Sequence, residues 1–352
     1  MNQQNNLGNF YQSKVYPQIE GLETQRKEIV SKLKKIQRFL MVSVVLTTAA
    51  VGNLTSTPAN GAGVVMFSVI VLLPSYFIIA YKIKKPYHAV FKSRIVRPVV
   101  EAMGENVIYE PEESISTDTI VEAKIFKKIS RSSGDDYVKG RFHSKQMEFS
   151  QIEASYRGSS RNSNGSRNEN DISVLSGWMF IVDIDTFVQE GFAIETKGKI
   201  DIGAVFGSGV LGAMAKGVVG LANKLANEED PLEVKTGEKA FDKKFQLRGN
   251  KADVDRFLTP EIRSYLLEMV LKPGEATPID GLISQTPGQS IVLALRDRKL
   301  YFGIDSFIDF ESRIKESLLD YKEPIQLMEY IKSAVTLAEN FEENKEEMEM
   351  AW

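Results

Sequence analysis

Cysteine is absent from the 352 residues. The chain therefore has neither a disulfide framework nor thiolate chemistry, and it lacks the ligands of most structural zinc sites. Its two histidines, His88 and His143, are far apart, so each is predicted to be a solitary side chain rather than a base or a metal ligand. A net charge of −3 argues against nucleic-acid binding, and no cofactor is expected.

Charged residues are missing from the whole stretch between Phe39 and Tyr81. Thr55–Gly63, "TSTPANGAG", supplies turn chemistry in its middle and leaves apolar stretches at 39–54 and 64–81. Each stretch approaches the roughly 20 residues that a helix needs to cross a bilayer. The pattern predicts a transmembrane hairpin, and the alternative is a buried helical hairpin in a soluble core.

Basic residues flank this apolar run on both sides. They are Lys32, Lys34, Lys35 and Arg38 before it, and Lys82, Lys84 and Lys85 after it. Because basic flanks stay on the cytoplasmic side, the pattern places both termini in the cytoplasm. The same side chains are predicted to lie at the membrane interface, next to anionic lipid headgroups.

Residues 1–38 are predicted to form a cytoplasmic helical arm that is prone to coiled-coil formation. Its heptad seam consists of Val15, Ile19, Leu22, Ile29, Leu33 and Ile36, and Arg26 interrupts it. Such an a/d stripe is close to the minimum length of a coiled coil. Two alternatives remain: self-association or a stalk for a protein partner, and a helix that docks its stripe on the protein's own cytoplasmic domain.

Residues 82–352 are predicted to form a cytoplasmic α+β domain with a mainly antiparallel sheet and flanking helices. The strands are grouped rather than alternating regularly with helices. The expected elements include a short helix capped by Ser116 or Thr117, a helix opened by Thr259 and Pro260, and a hairpin that turns near Asp297. A polar loop is predicted at 158–171 and an acidic tail at 339–352.

Several distinctive segments lie in order along nearly the whole chain and include "NFYQSKVYPQIEGLETQRKEI", "DDYVKGRFHSKQMEFSQIEASY", "GWMFIVDIDTFVQEG" and "SIVLALRDRKLYFGID". These segments resemble a bacterial family of two-pass membrane proteins known as domain of unknown function 3137. The most distinctive runs from Ala252-Asp253-Val254 to Leu258-Thr259-Pro260. The resemblance implies a multi-pass protein of the bacterial cytoplasmic (inner) membrane, and it brings no catalytic residue.

Gly207-Ser208-Gly209-Val210-Leu211-Gly212 spells the G-x-G-x-x-G of dinucleotide-binding turns. In those sites, an acidic residue ends a further strand about 20 residues later. Here the polar cluster around Asn227 follows a helix-like stretch without an apolar strand between them. The Gly-rich segment 203–226 is therefore predicted to be a glycine-loosened amphipathic helix, at the membrane interface or packed closely, or else a mobile linker.

Asp183 and Asp185 are two residues apart, so in a strand they share one face. Paired carboxylates can hold Mg²⁺, which makes them weak candidates for a metal-dependent hydrolase or phosphoryl-transfer enzyme. The simpler alternative is the polar face of an antiparallel strand, with Phe180, Val182 and Ile184 turned inward. The favoured function is a membrane-anchored cytoplasmic binding or scaffolding protein that contacts lipids and either self-associates or binds a protein partner.

Overall fold

A computed structural model describes residues 13, 15–54, 58–161, 167–197, 233–271, 290–306, 310, 314, 317–320 and 323–349. The chain forms two compact units, residues 1–103 with 310–324 and residues 104–309 with 325–352. The first unit contains α1 (Tyr16–Leu54), α2 (Pro58–Phe91), a π-helical segment (Lys92–Val96), α3 (Arg97–Met103) and a 3₁₀ turn (Leu318–Asp320). α2 continues without a break past residue 82 to Phe91, and the second compact unit begins at Gly104.

The predicted oligomer seam is buried within the first unit. Val15, Ile19 and Leu22 are each 1% exposed, Leu33 is buried, and Ile29 and Ile36 are half-buried. The seam-bearing helix α1 packs against α2 and the 3₁₀ turn of the same chain. In the described residues, elements of the same chain therefore cover most of the seam, and its role in self-association or in binding a protein partner stays a prediction.

Arg26, the residue that interrupts the seam, is part of a buried polar clamp. Its guanidinium donates to both carboxylate oxygens of Glu23, at 2.8 and 2.7 Å, and to the Ile314 carbonyl at 2.7 Å. Glu23 also accepts from the Leu318 amide at 3.1 Å. A charge in an apolar stripe is tolerated here because it is paired and hydrogen-bonded. The clamp joins α1 to the segment around residues 314–318.

The second unit is built on an antiparallel sheet. Its strands are β1 (Glu105–Glu110), β2 (Arg131–Phe142), β3 (Lys145–Arg161), β4 (Arg167–Thr196), β5 (Glu233–Val234), β6 (Phe245–Gly249) and β7 (Ile291–Asp305). Its helices are α4 (Thr117–Glu122), α5 (Lys239–Lys244), α6 (Lys251–Phe257), α7 (Pro260–Leu271) and α8, which starts at Glu323 and ends at Glu349. The strand order is β1-β2-β3-β4-β6-β5, with β7 also paired to β4. These pairings confirm the α+β class with a mainly antiparallel sheet.

β7 folds back on itself near Asp297. The Asp305 amide donates to the Ser290 carbonyl at 2.9 Å, although a straight strand of that length would separate them by about 50 Å. Asp297 has a left-handed φ of 54°, as a tight turn requires, and it is exposed between two buried apolar runs. The predicted hairpin is confirmed.

β4 bends around the tip of this hairpin. Asp183 lies opposite Lys299 and Val188 lies opposite Asp297, so residues 184–187 cross over the turn. The two arms of β7 consequently lie between the two arms of β4. Pairing on both sides leaves neither arm of β7 as a free edge, and the continuous buried runs of β7 show that side chains on both of its faces are covered.

The polar loop predicted at 158–171 is wrong for most of its length. Pairing between β3 and β4 continues from Arg157 opposite Asp171 to Arg161 opposite Arg167. Strand pairing joins backbone groups, so a polar run can extend a hairpin whose inner part is anchored by apolar residues. Residues 162–166 lie outside the described residues.

The acidic tail predicted at 339–352 begins inside α8, which stays helical to Glu349. Phe341 is fully buried, and its ring lies 6.4 Å from that of Phe192. Ser144 donates to Glu339 at 3.0 Å, and Lys145 forms an ion pair with Glu342. At least the first turn of the predicted tail is therefore a packed part of the second unit.

Asp253 fastens α6 to the second arm of β4. Its carboxylate accepts from the amides of Gly191 at 2.8 Å and Glu190 at 3.1 Å, while Asn250 caps the helix at the Asp253 amide. Gly191 has a left-handed φ of 78°, and a Cβ there would lie 2.3 Å from the Leu295 carbonyl oxygen. Asp253 therefore satisfies two backbone donors at a point where β4 approaches β7 too closely for a side chain at residue 191.

Replacing Asp253 with alanine is expected to destabilise the second unit by about 2–3 kcal/mol, because two poorly solvated amides lose their acceptor. Urea unfolding of the full chain in detergent, followed by the fluorescence of buried Trp178, measures the change. Asp255→Ala is the matched control, since Asp255 is exposed and its ion pair with Lys251 is a surface pair. Equal midpoints for the two variants would contradict this role of Asp253.

Candidate membrane-interface site

Exposed apolar side chains are concentrated on the hairpin of the first unit. Among the described residues, nine of thirteen large apolar side chains that are exposed lie there, at 41–70% exposure. We call these nine the apolar band: Phe39, Met41, Val42, Val45, Leu46, Phe77, Ile78, Ile79 and Tyr81. Scattered exposed apolar residues are normal in soluble proteins, whereas a concentration of this kind marks an interaction surface.

Cationic side chains border the apolar band. The basic collar consists of Lys32, Lys34, Lys35, Arg38, Lys82, Lys84 and Lys85, of which only Lys84 is half-buried and the others are exposed. The Lys85 ammonium lies 5.9 Å from the Tyr81 ring centroid. Lysines beside an amphipathic tyrosine are typical of the boundary between hydrocarbon and water.

The collar cations differ from other basic side chains of the protein in their partners. Within the described part of the chain, none of the seven forms an ion pair with a carboxylate. By contrast, Arg26, Arg248 and Arg263 lie 2.7, 3.6 and 2.7 Å from carboxylate oxygens. The charge of the collar is left to solvent or to an external anion.

The side chains described within the apolar run are those of residues 39–46, 72 and 74–81. Searched over the residues that the structure describes, the chain shows no helix that is long and apolar enough to cross a membrane.

Asp183 and Asp185 are exposed on β4, whereas the alternating residues Phe180, Val182 and Ile184 are buried. The Asp185 amide donates to Glu342 at 2.7 Å, and Asp183 lies opposite Lys299. In the described ranges, no three histidine or acidic side chains are grouped so that they can hold a metal ion. This arrangement is the one expected for the polar side of an antiparallel strand.

An acidic groove lies at the end of β1. It is lined by Glu110, Glu113, Ser114, Ile115, Ser116, Thr119, Tyr137 and Glu148. The Tyr137 hydroxyl donates to Glu148 at 2.5 Å, and burial, with Glu148 beside it, raises the pKa of the phenol well above its usual value. The phenol therefore keeps its proton at neutral pH and acts as a donor to Glu148, not as a base.

Gly203–Ala226, which contains Gly207, Gly209 and Gly212, lies outside the described residues. No role was predicted for two polar residues that organise the fold, Glu23 and Asp253. The signal for Glu23 was present, because it lies three residues before the arginine that interrupts an apolar seam.

Comparisons with known proteins add little to this description. No protein-family model and no curated protein matches the chain. Among solved structures, it is similar to the crystal structure of the mycobacterial trehalose monomycolate transport factor A, TtfA. The two share 7% identity with a TM-score of 0.30, over 71% of this chain and 94% of that one, which is too distant to support any argument. The resemblance to domain of unknown function 3137 stays a prediction.

Proposed function

We propose that this chain is a membrane-anchored binding or scaffolding protein of the bacterial cytoplasmic membrane. In this proposal residues 39–81 cross the bilayer twice, both termini are cytoplasmic, and the second unit is held at the inner surface, where it engages a protein partner. The observation that carries the proposal is the exposed apolar band within a run of 43 residues that has no charge.

Helix lengths support this arrangement. At 1.5 Å per residue, residues 39–54 of α1 extend about 24 Å and residues 58–81 of α2 extend about 36 Å. The hydrocarbon core of a bilayer is about 30 Å thick, and a helix longer than this can tilt while a shorter one draws in its basic flanks. The collar flanks residues 39–54 of α1 and residues 58–81 of α2 on the side away from their connection, as the positive-inside rule requires of a hairpin.

Energetics support the same arrangement. Each large apolar side chain gains roughly 1.5–3 kcal/mol on leaving water, so nine exposed ones are a substantial driving force for burial in lipid.

A binding role is favoured over metal-dependent hydrolysis because Asp183 and Asp185 face outward from a strand that Glu342 and Lys299 border.

Fractionation of cells that express the full chain tests the proposal. We expect the protein in the membrane pellet, resistant to high salt and to alkaline carbonate, and soluble only after detergent is added. High salt releases a protein that is attached to the membrane only through the charges of the collar, and carbonate removes peripheral proteins. Resistance to both treatments therefore requires apolar insertion. Recovery in the carbonate supernatant would overturn the proposal.

A further inference from the structure

Charge is distributed very unevenly along this chain. The 72 residues between Glu28 and Glu101 contain ten of its 44 basic residues and none of its 47 acidic ones. The rest of the chain therefore carries a net charge of −13. Orientation in the membrane needs only a modest excess of basic residues, so a stretch this free of carboxylates calls for a further explanation.

We propose that the basic collar binds the phosphate groups of anionic phospholipids and thereby concentrates these lipids around the hairpin. The inference rests on the proposed membrane insertion and adds the lipid class to it. Its structural support is that the collar cations border the apolar band and have no carboxylate partner in the described part of the first unit.

The cations of the collar attract anionic lipid by their combined effect. A lysine near an anionic surface gains about fivefold in affinity, and several such residues act together. The remainder of the chain is acidic and is repelled by the same surface. The collar therefore attracts anionic lipid to α1 and α2 while the second unit stays clear of the headgroups.

The test uses the full chain reconstituted into vesicles of 70% phosphatidylcholine and 30% phosphatidylglycerol, extracted in mild detergent and purified. Mass spectrometry then gives the ratio of the two lipids that remain bound. We expect the ratio of phosphatidylglycerol to phosphatidylcholine to be at least about threefold higher in the bound lipid than in the vesicles, and high salt during extraction to remove this enrichment. Binding of both lipids at the vesicle ratio would overturn the proposal.

Two triple variants separate the collar from general surface charge. Replacing Lys32, Lys34 and Lys35 with glutamine is expected to lower the enrichment at least about threefold. The control replaces three exposed lysines of the second unit, Lys128, Lys139 and Lys239, and should leave it unchanged. An equal loss in both variants would contradict the assignment to the collar.

Two further measurements are needed. One distinguishes bound lipid from free phosphate, and the other distinguishes failure of the lipid assignment from failure of membrane anchoring. Inorganic phosphate at millimolar concentration should not displace the lipid, whereas displacement would show a site for free phosphate and contradict a lipid site. Carbonate extraction of the same vesicles reports insertion independently. An inserted protein without enrichment refutes only the lipid assignment, and a protein that carbonate releases refutes membrane anchoring itself.

Discussion

A Val45→Glu, Ile78→Glu double variant is expected to move the protein from the membrane pellet to the soluble or aggregated fraction. Val45 is 66% exposed and Ile78 is 58% exposed, so neither substitution disturbs the packing between α1 and α2. On insertion scales an ionised carboxylate costs about 2.5–3.5 kcal/mol at the centre of a membrane helix, close to Val45, and less at Ile78, which lies three residues from the end of its span. Together the two carboxylates cost several kcal/mol, and the substitutions also remove two of the nine side chains of the apolar band, so the amount of protein in the carbonate-resistant pellet should fall.

The matched control makes the same chemical change outside the apolar band. Ile108 and Phe187 belong to the second unit and are 55% and 57% exposed, close to Val45 and Ile78. Ile108→Glu with Phe187→Glu should therefore leave the pellet fraction unchanged. If both double variants left the membrane equally, or if neither did, the apolar band would not be the membrane contact.

Arg26→Leu is expected to destabilise the first unit by about 3–5 kcal/mol, since it leaves the Glu23 carboxylate buried without its partner. The Glu23 side chain is only 6% exposed, and the Ile314 carbonyl loses its donor as well. Hydrogen exchange of the amides in residues 15–36, followed by mass spectrometry, reports the local opening free energy.

A control variant and a double variant test whether the effect of Arg26→Leu comes from the buried ion pair with Glu23. Lys27→Ala is the control, because Lys27 is 69% exposed and lies 3.8 Å from the same carboxylate, so its loss should cost well under 1 kcal/mol. Arg26→Leu combined with Glu23→Leu should recover much of the stability, as apolar replacements of buried ion pairs often do. Slower or unchanged exchange in Arg26→Leu alone would contradict the clamp.

The clamp also has a pH signature. The hydrogen bond from Arg26, together with the Leu318 amide and against the effect of burial, holds the pKa of Glu23 below its usual range. A lowered folded pKa means that the stabilisation is complete above the ordinary glutamate pKa and is lost as the pH falls through the folded pKa. Nearby Tyr87 does not interfere, because burial raises its pKa to about 12. Glu23→Gln should remove this acid dependence from the hydrogen exchange of residues 15–36.

Local signals made much of the second unit predictable. Ser116 accepts from the Thr119 amide at 3.1 Å and Thr259 from the Ile262 amide at 3.4 Å, so both helix starts are set by neighbours within three residues. The turn at Asp297 is likewise a local feature, marked by polar residues between two apolar runs.

Features that depend on distant partners were not predictable. The outer pairing of β3 with β4 involves polar residues whose sequence is typical of a loop, and only the register set by the inner apolar residues extends it. The heptad seam cannot reveal whether its partner is a second chain or α2 and the 3₁₀ turn of the same chain, the latter some 290 positions away. The exposed apolar band and its basic flanks follow directly from the sequence, because an uncharged run with basic flanks is itself a physical property of the sequence, and their contact with a membrane stays a prediction.

The topology of the hairpin is the central claim, and single-cysteine labelling tests it most directly. The chain has no cysteine, so Ser56→Cys, between α1 and α2, and Ser133→Cys, exposed on β2, each introduce a single thiol. In intact spheroplasts a membrane-impermeant maleimide should label the Ser56→Cys variant. It should label the Ser133→Cys variant only after lysis. Labelling at position 133 and not at position 56 before lysis, or equal labelling at both, would contradict the proposed two-span anchor with its cytoplasmic second unit.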